Sequence, residues 1–461
     1  MSDYDLVVIG GGPAGEKGAA QAAYFKKRVA VVERAPEPGG AAVHTGTLPS
    51  KTLRETALFL SGYRQRELYG LNVTMDEDVA VPKLLSRMDT VRELEVGRIR
   101  TNLDRHHVDL VSGAARVKDA HTIEVLGDGG GRVTRTLTSD VILVATGSVP
   151  FQPPHIPFGP HVADSDTILL LDRLPKRMVV LGGGVIGCEY ASMFAAMHVK
   201  VTLLEGRDRL LPFLDAEMGS RLQGAMVALG VDIRLGVSVE KVTLESDRVH
   251  VALKSGDAIE CDKLLVASGR QGNTSGLGLE AVGVGVDKRG YVQVDENFRT
   301  KVESIYAAGD VIGFPALAST SMDQARVAVC HAFGFTYKKQ VSHLLPYGVY
   351  TIPEVSCVGF SEEQAKEQKI DYVVGRALYV DNARGKIVGD KEGVIKLVFD
   401  KTTRKLLGCH CIGDRASELV HIGQVAIALG GTVDTLIDMV FNYPTLAEMF
   451  KYAAYDALGN M

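Results

Sequence analysis

Sulfur is scarce in this 461-residue chain. Its six cysteines, at 188, 261, 330, 357, 409 and 411, are too few for a disulfide framework and form no paired C-x-x-C zinc signature. They read as buried thiols of a cytoplasmic protein. An excess of one charge is also lacking: 51 basic against 56 acidic residues leave a formal charge of −5, which offers no basic footprint for nucleic acid and no single-sign field for a membrane surface. Long apolar runs are missing too. The longest stretch without Asp, Glu, Lys or Arg, 141–163, carries Pro150, Pro153, Pro154, Pro157 and Pro160, a spacing no spanning helix survives. Tyr4 to Ile9 reads as a buried strand, which leaves no room for an export signal.

Glycine, in contrast, is plentiful, with 50 residues against a usual share of ~7%. At roughly 150 residues per domain the length predicts about three domains. One internal repeat dominates. An apolar strand runs into Gly10-Gly-Gly12-Pro-Ala-Gly15 and then an Ala-rich helix, and the pattern returns at Gly182-Gly-Gly184-Val-Ile-Gly187. Both copies continue into a second apolar strand that ends in an acid, Glu33 and Glu205, each 23 residues after the first glycine. Both are followed by a later strand closing on a small-residue turn, at Thr146-Gly147 and Ser268-Gly269.

In such a turn the first glycine allows the bend, the second lets a pyrophosphate approach the backbone, and the third lets helix and strand pack closely. The helix N-terminus supplies free N–H groups. The carboxylate downstream is placed for the adenosine ribose hydroxyls. A third apolar strand ends in Gly309-Asp310, where an acid suits a ribityl hydroxyl. Between Lys83 and His107, Leu84, Leu85, Met88, Val91, Leu94, Ile99 and Leu103 recur at near-helical spacing, which predicts a long inserted helix. Asp128 to Gly131 reads as a hairpin turn, the Pro-rich stretch as a linker, and the chain beyond about 340 as α+β. The C-terminal strands are expected at 372–380, 394–399 and 406–412, with helices at about 416–429 and 445–458.

On these motifs the chain resembles the FAD-dependent pyridine nucleotide-disulfide oxidoreductases, relatives of glutathione reductase and dihydrolipoamide dehydrogenase, from residue 4 to 459. The resemblance implies an α/β fold with two doubly wound dinucleotide-binding domains plus a C-terminal α+β dimerisation domain. The first domain, 1–150 and 273–340, would bind FAD through Gly10, Gly12, Gly15, Glu33, Lys51, Thr146, Gly147, Gly309 and Asp310. The second, 151–272, would bind NAD(H) or NADP(H) through Gly182, Gly184, Gly187, Glu205, Arg207 and Gly269. The third, 341–461, would form a homodimer.

Disulfide-reducing members carry two cysteines just after a Gly-Gly and before Pro-Ser-Lys. Here Gly39-Gly40 and Pro49-Ser50-Lys51 frame Ala42 and Thr47, and neither side chain can exchange a disulfide. Tyr443 stands where the family's C-terminal His would be. Glu448 remains, and Thr445-x-x-Glu448 also reads as a capping box for the last helix. By resemblance Lys51 and Glu189 pair beside flavin N5 and the nicotinamide, so hydride entry is kept while its exit to sulfur is gone. Thr47, the Asn442 to Thr445 turn and the segment Arg207 to Asp215 are similar to the soluble transhydrogenase branch, which passes hydride between NADPH and NAD+. An NAD(P)H oxidase or quinone reductase is the alternative.

Thr47, Lys51, Glu189 and Tyr443 are therefore the candidate catalytic positions. Glu205 favours a free 2′-hydroxyl, whereas Arg207 and Arg209 either neutralise a 2′-phosphate or are solvated loop residues. Cys409-His410-Cys411 reads as strand packing rather than a metal site, Cys188 as packing, and His421 as a core residue. No metal is expected.

Overall fold

The computed structural model describes residues 2–63, 68–70, 77–127 and 131–461. The expected turn at Asp128 to Gly131 lies, through residue 130, outside them. The chain forms two compact units, one of residues 1–52, 85–151 and 269–342, the other of 53–84, 152–268 and 343–461.

The first unit is built on a parallel sheet in the order Asp109–Ser112, Val29–Glu33, Tyr4–Ile9, Val133–Val144, Ile305–Ala307. Leu6, Val7, Val8 and Val29 to Val32 are buried, as expected where helices cover both faces. The long strand Val133–Val144 also extends into an antiparallel meander with Thr122–Leu126 and Ala114–Asp119. Helix Pro13–Tyr24 begins with its proline in the first turn, where a missing N–H costs nothing. It packs on helix Ala318–Ala332, and Gly18 faces Leu143 and Ala325 with no room for a Cβ.

The inserted helix runs Glu77–Arg105, and Ile99 and Leu103 join the core. Leu94 does not, being 69% exposed, so the apolar stripe is narrower than the spacing suggests. Arg98 and Asn102 on this helix instead reach the buried carboxylate of Glu16 in the first turn of Pro13–Tyr24. Burial pushes the Glu16 carboxyl up, but Arg98 and Lys17 outweigh it and hold it below the usual range.

The second unit repeats the parallel arrangement: Asp232–Arg234, Lys200–Leu204, Arg177–Leu181, Lys263–Val266, Val162–Ala163. Its C-terminal part is an antiparallel five-stranded sheet ordered Tyr347–Val349, Val355–Gly359, Leu406–Ile412, Val394–Asp400, Tyr372–Leu378. Helices Ala416–Ala428, Val433–Asp438 and Met449–Gly459 cover it. Gly375 lies directly under the last helix, where a Cβ would strike the Ala453 carbonyl. The last helix starts four residues later than expected, and Val433–Asp438 is an extra helix, announced by a Thr432–Thr435 capping box.

Candidate functional site

The two glycine turns match in detail. Gly10 and Gly182 have φ of +103° and +114°, a left-handed region that L residues avoid. A Cβ at either would crowd a carbonyl of the neighbouring strand end, Ala145 or Ala267. A Cβ at Gly15 or Gly187 would collide with the carbonyl oxygen of Gly10 or Gly182. The middle glycines differ. Gly12 and Gly184 cap helices Pro13–Tyr24 and Val185–Ala196 with nearly identical dihedrals, φ/ψ −74/−173° and −79/−173°, and no side chain caps either helix. Around a Cβ at Gly184 no described atom lies within 4 Å, and at Gly12 the nearest is 3.7 Å away. Each is an open cradle in front of the first-turn N–H groups that a helix leaves unsatisfied by its own carbonyls, the condition an anionic phosphate needs.

Glu33 and Glu205 close the turns in the same way. Glu33 Oε2 accepts from Gly11 N at 2.7 Å and Glu205 Oε2 from Gly183 N at 2.6 Å. Their other oxygens accept from Ala35 N at 2.8 Å and Arg207 N at 2.9 Å. Each acid therefore stands beside its cradle, fixed by backbone.

Further groups in the first unit suit a flavin dinucleotide. Thr146 Oγ1 and Thr320 Oγ1 are buried without a partner among the described residues, a costly state that a bound hydroxyl or phosphate would relieve. Gly147 has φ +69°. Asp310 accepts from Ser148 Oγ at 3.2 Å and Ser321 Oγ at 3.4 Å, while Gly309 N donates to the buried Gln324 at 2.9 Å. Gly269, φ +106°, falls in this first unit rather than in the second. The next residue, Arg270, donates to Ser148 Oγ and O, each at 2.8 Å. Ser148, Arg270, Thr320 and Gln324 escaped the sequence reading. A Gln one turn before the apolar run Val327-Ala-Val329, in a helix with a largely buried face, is the signal that was there to find.

The segment 39–51 docks on the first cradle. Gly39 N donates to Gly11 O at 2.8 Å, and a Cβ at Gly40 would come within 2.9 Å of Gly12 Cα. Short helix Gly40–His44 carries Ala42, half-buried, and Thr47 is the exposed first residue of helix Thr47–Ser61. Lys51 is half-buried, its Nζ donating to Ser50 Oγ at 3.3 Å.

In the second unit, Glu189 is buried and accepts from Tyr350 N at 2.9 Å. Ser192, one turn on, accepts from Ile352 N at 3.1 Å, so this helix face grips the chain entering the C-terminal sheet. Arg207 is exposed. Arg209 is half-buried, and its Nη2 donates to Pro212 O at 2.8 Å and Leu214 O at 2.6 Å.

Tyr443 lies on an exposed turn, 68% accessible. The capping box expected at Thr445 is one-sided. Thr445 Oγ1 accepts from Glu448 N at 3.3 Å, but Glu448 turns outward to Tyr452 OH, because the helix begins only at Met449. His421 is exposed and bonds Gln424 rather than sitting in the core. All six cysteines are free and buried. Burial pushes the Cys188 thiol up, and its Sγ meets Gly183 O at 3.4 Å. Among the described residues there is no metal-binding cluster and no helix long and apolar enough to cross a membrane.

Two like-built cradles on one chain, each with its acid and uncapped helix, define a two-nucleotide oxidoreductase. Residues 4–332 match the pyridine nucleotide-disulphide oxidoreductase family, and 345–454 match its dimerisation domain. The chain belongs to that family, whose members depend on FAD, and its C-terminal α+β module is the homodimerisation module. It is 46% identical, across its whole length and 98% of the relative, to a protein of Mycobacterium bovis BCG called soluble pyridine nucleotide transhydrogenase. Proteins of the same name from Colwellia psychrerythraea, at 40% identity over 100% of this chain and 99% of the relative, and Yersinia pestis, at 41% over 99% and 98%, are also similar. Among solved structures, LpdA from Mycobacterium tuberculosis is similar at TM-score 0.90 and 29% identity, covering 98% of this chain and 99% of that one. The HOCl-induced flavoprotein disulfide reductase RclA from Escherichia coli is similar at TM-score 0.87, with the same identity and coverage.

Proposed function

We propose that the protein is a flavin-dependent transhydrogenase that exchanges hydride between NADPH and NAD+ by a ping-pong route at one nicotinamide site. The carrying observation is the segment 39–51, which keeps its glycine frame and its docking on the first cradle while Ala42 and Thr47 offer no sulfur. Relatives that bear the transhydrogenase name over the whole chain support the reading.

When bound, FAD supplies a two-electron carrier that takes a hydride from one nicotinamide and returns it to another. The chain's own residues bind and orient. Gly10, Gly12, Gly15 and Glu33 hold the adenosine diphosphate half, and Thr146, Gly147, Gly309 and Asp310 receive the remaining hydroxyls and phosphate. Gly182, Gly184, Gly187 and Glu205 do the same for the nicotinamide nucleotide, with Arg207 for the 2′-phosphate. Gly269 supplies the bend after the second module's last strand. Lys51 is the fixed cation for charge that develops on reduction, and Glu189 the acceptor at the reacting end. Thr47 and Tyr443 occupy the positions of a sulfur and an imidazole without carrying electrons, and no general base is required. Six free buried thiols fit a reducing, cytoplasmic setting.

The test is an anaerobic mixture of holoenzyme, NADPH and thio-NAD+. Thio-NADH should accumulate, and no disulfide should be reduced. Rapid consumption of oxygen or quinone without thio-NADH would assign the NAD(P)H oxidase or quinone reductase activity instead.

A further inference from the structure

The loop that follows Glu205 is held at several points. Leu211 N donates to Gly183 O at 3.2 Å and Leu210 packs on Gly183, so the middle of the loop closes back on the second glycine turn. Leu211 is left-handed at φ +44°, a strained state for a leucine that persists only where neighbours enforce it. Arg209 enforces it. Both hydrogens of its Nη2 are taken by carbonyls on the far side of that leucine, Pro212 and Leu214.

The end of the loop is anchored more deeply. Asp215 caps helix Ala216–Ala228 through Glu217 N at 3.1 Å and Met218 N at 3.4 Å. It also receives Lys396 Nζ at 2.8 and 2.9 Å. Lys396 comes from the middle of the apolar strand Val394–Asp400, is 1% exposed, and reaches Glu362 at 2.5 Å and Glu217 at 3.2 Å as well. A buried ion pair is weak evidence for stability, since well-packed apolar residues in place of both partners would often serve as well. What it supplies is a fixed position for Asp215.

We propose that Arg209 and the Asp215–Lys396 pair are positioning residues for nucleotide binding. They set the loop against the glycine turn, and so fix Glu205 and Arg207, without touching the nucleotide. Their effect falls equally on both nucleotides, while discrimination between them belongs to Arg207. The proposal rests on the reading of the second glycine turn as the nicotinamide-nucleotide cradle.

Calorimetric titration of the oxidised holoenzyme with NAD+ and with NADP+ tests it, with FAD content and thermal midpoint recorded for each variant. Arg209→Met should weaken both nucleotides by about tenfold and leave their ratio unchanged. Asp215→Asn keeps a capping side chain while removing the charge pair, and should give the same even loss with FAD content unaltered. Arg207→Met should weaken NADP+ alone. Loss of NADP+ affinity alone in Arg209→Met would make Arg209 a direct phosphate ligand and overturn the proposal. Wild-type affinities in both Arg209→Met and Asp215→Asn would overturn it too. Undiminished binding to Gly184→Ala would instead sink the cradle reading beneath it.

Discussion

Changing Gly184 and Gly187 to alanine, one at a time, separates a glycine kept for a ligand from one kept for the fold. Gly184 has extended backbone that alanine adopts readily, and no described atom lies within 4 Å of the added methyl. Losing glycine's preference at a helix cap costs about 0.5–1 kcal/mol. A stiffer unfolded chain returns about 0.4–1 kcal/mol, so the net change in stability is near zero. The methyl nevertheless stands in front of the first-turn N–H groups, and NAD+ binding should fall at least about tenfold, some 1.4 kcal/mol. Gly187 is the reverse case. Its methyl meets the Gly182 carbonyl oxygen, backbone against backbone, and relief requires the helix to move off its strand, at about 3 kcal/mol. Urea unfolding followed by circular dichroism, beside calorimetry with NAD+, reads both quantities. Wild-type affinity in Gly184→Ala, or wild-type stability in Gly187→Ala, would refute the division of roles among the three glycines.

Lys396→Met should cost the second unit about 3–5 kcal/mol, because Asp215 is left buried without its ammonium; a urea midpoint close to wild type would show the cluster to be energetically idle. Burial pushes the Glu217 carboxyl up, but Arg376 and Lys396 outweigh it and draw it down from 4.5 to about 2. A depressed folded value means the stabilisation is complete above pH 4.5 and disappears as pH falls toward 2, roughly 3 kcal/mol in all. Glu217→Gln should flatten that part of the stability profile. Thr146→Val removes an unpartnered buried hydroxyl, so the flavin-free protein should gain about 1 kcal/mol while FAD dissociates more readily; a loss of stability in the flavin-free protein would point to a partner within the chain.

Much of this architecture was legible in the sequence because its signals are local. A strand, a glycine turn and an acid at a fixed distance sit within a few dozen residues, and both copies fold with nearly the same cap dihedrals. Contacts between distant parts of the chain were not legible. Asp215 and Lys396 are 181 residues apart, and only the oddity of a lysine inside Val-Ile-Lys-Leu-Val-Phe hints that a carboxylate must be waiting for it. Arg209 stayed open between two readings because spacing cannot show whether a guanidinium faces a ligand or its own loop. Leu94 and His421 failed for a related reason: helical periodicity tells which residues share a face, but not which faces are covered. The one-sided cap at Thr445 shows the limit of a four-residue motif when the helix starts one turn late.

The two parallel sheets recruit their outermost strands from opposite directions along the chain. In the second unit that strand, Val162–Ala163, is made before the rest of its sheet, so all five strands exist once residue 266 has been synthesised. In the first unit it is Ile305–Ala307, which emerges last, after the whole of the other sheet. During synthesis, then, the amino-terminal sheet waits with Val133–Val144 as an open edge while the later one already has its full complement of strands. That reverses the usual order in which the amino-terminal part of a chain completes its fold first. A ribosome stalled near residue 310, its exit tunnel still covering the last few dozen residues, would display a finished second parallel sheet and an unfinished first one, and that unfinished edge is where a newborn chain of this kind is most exposed to wrong pairing.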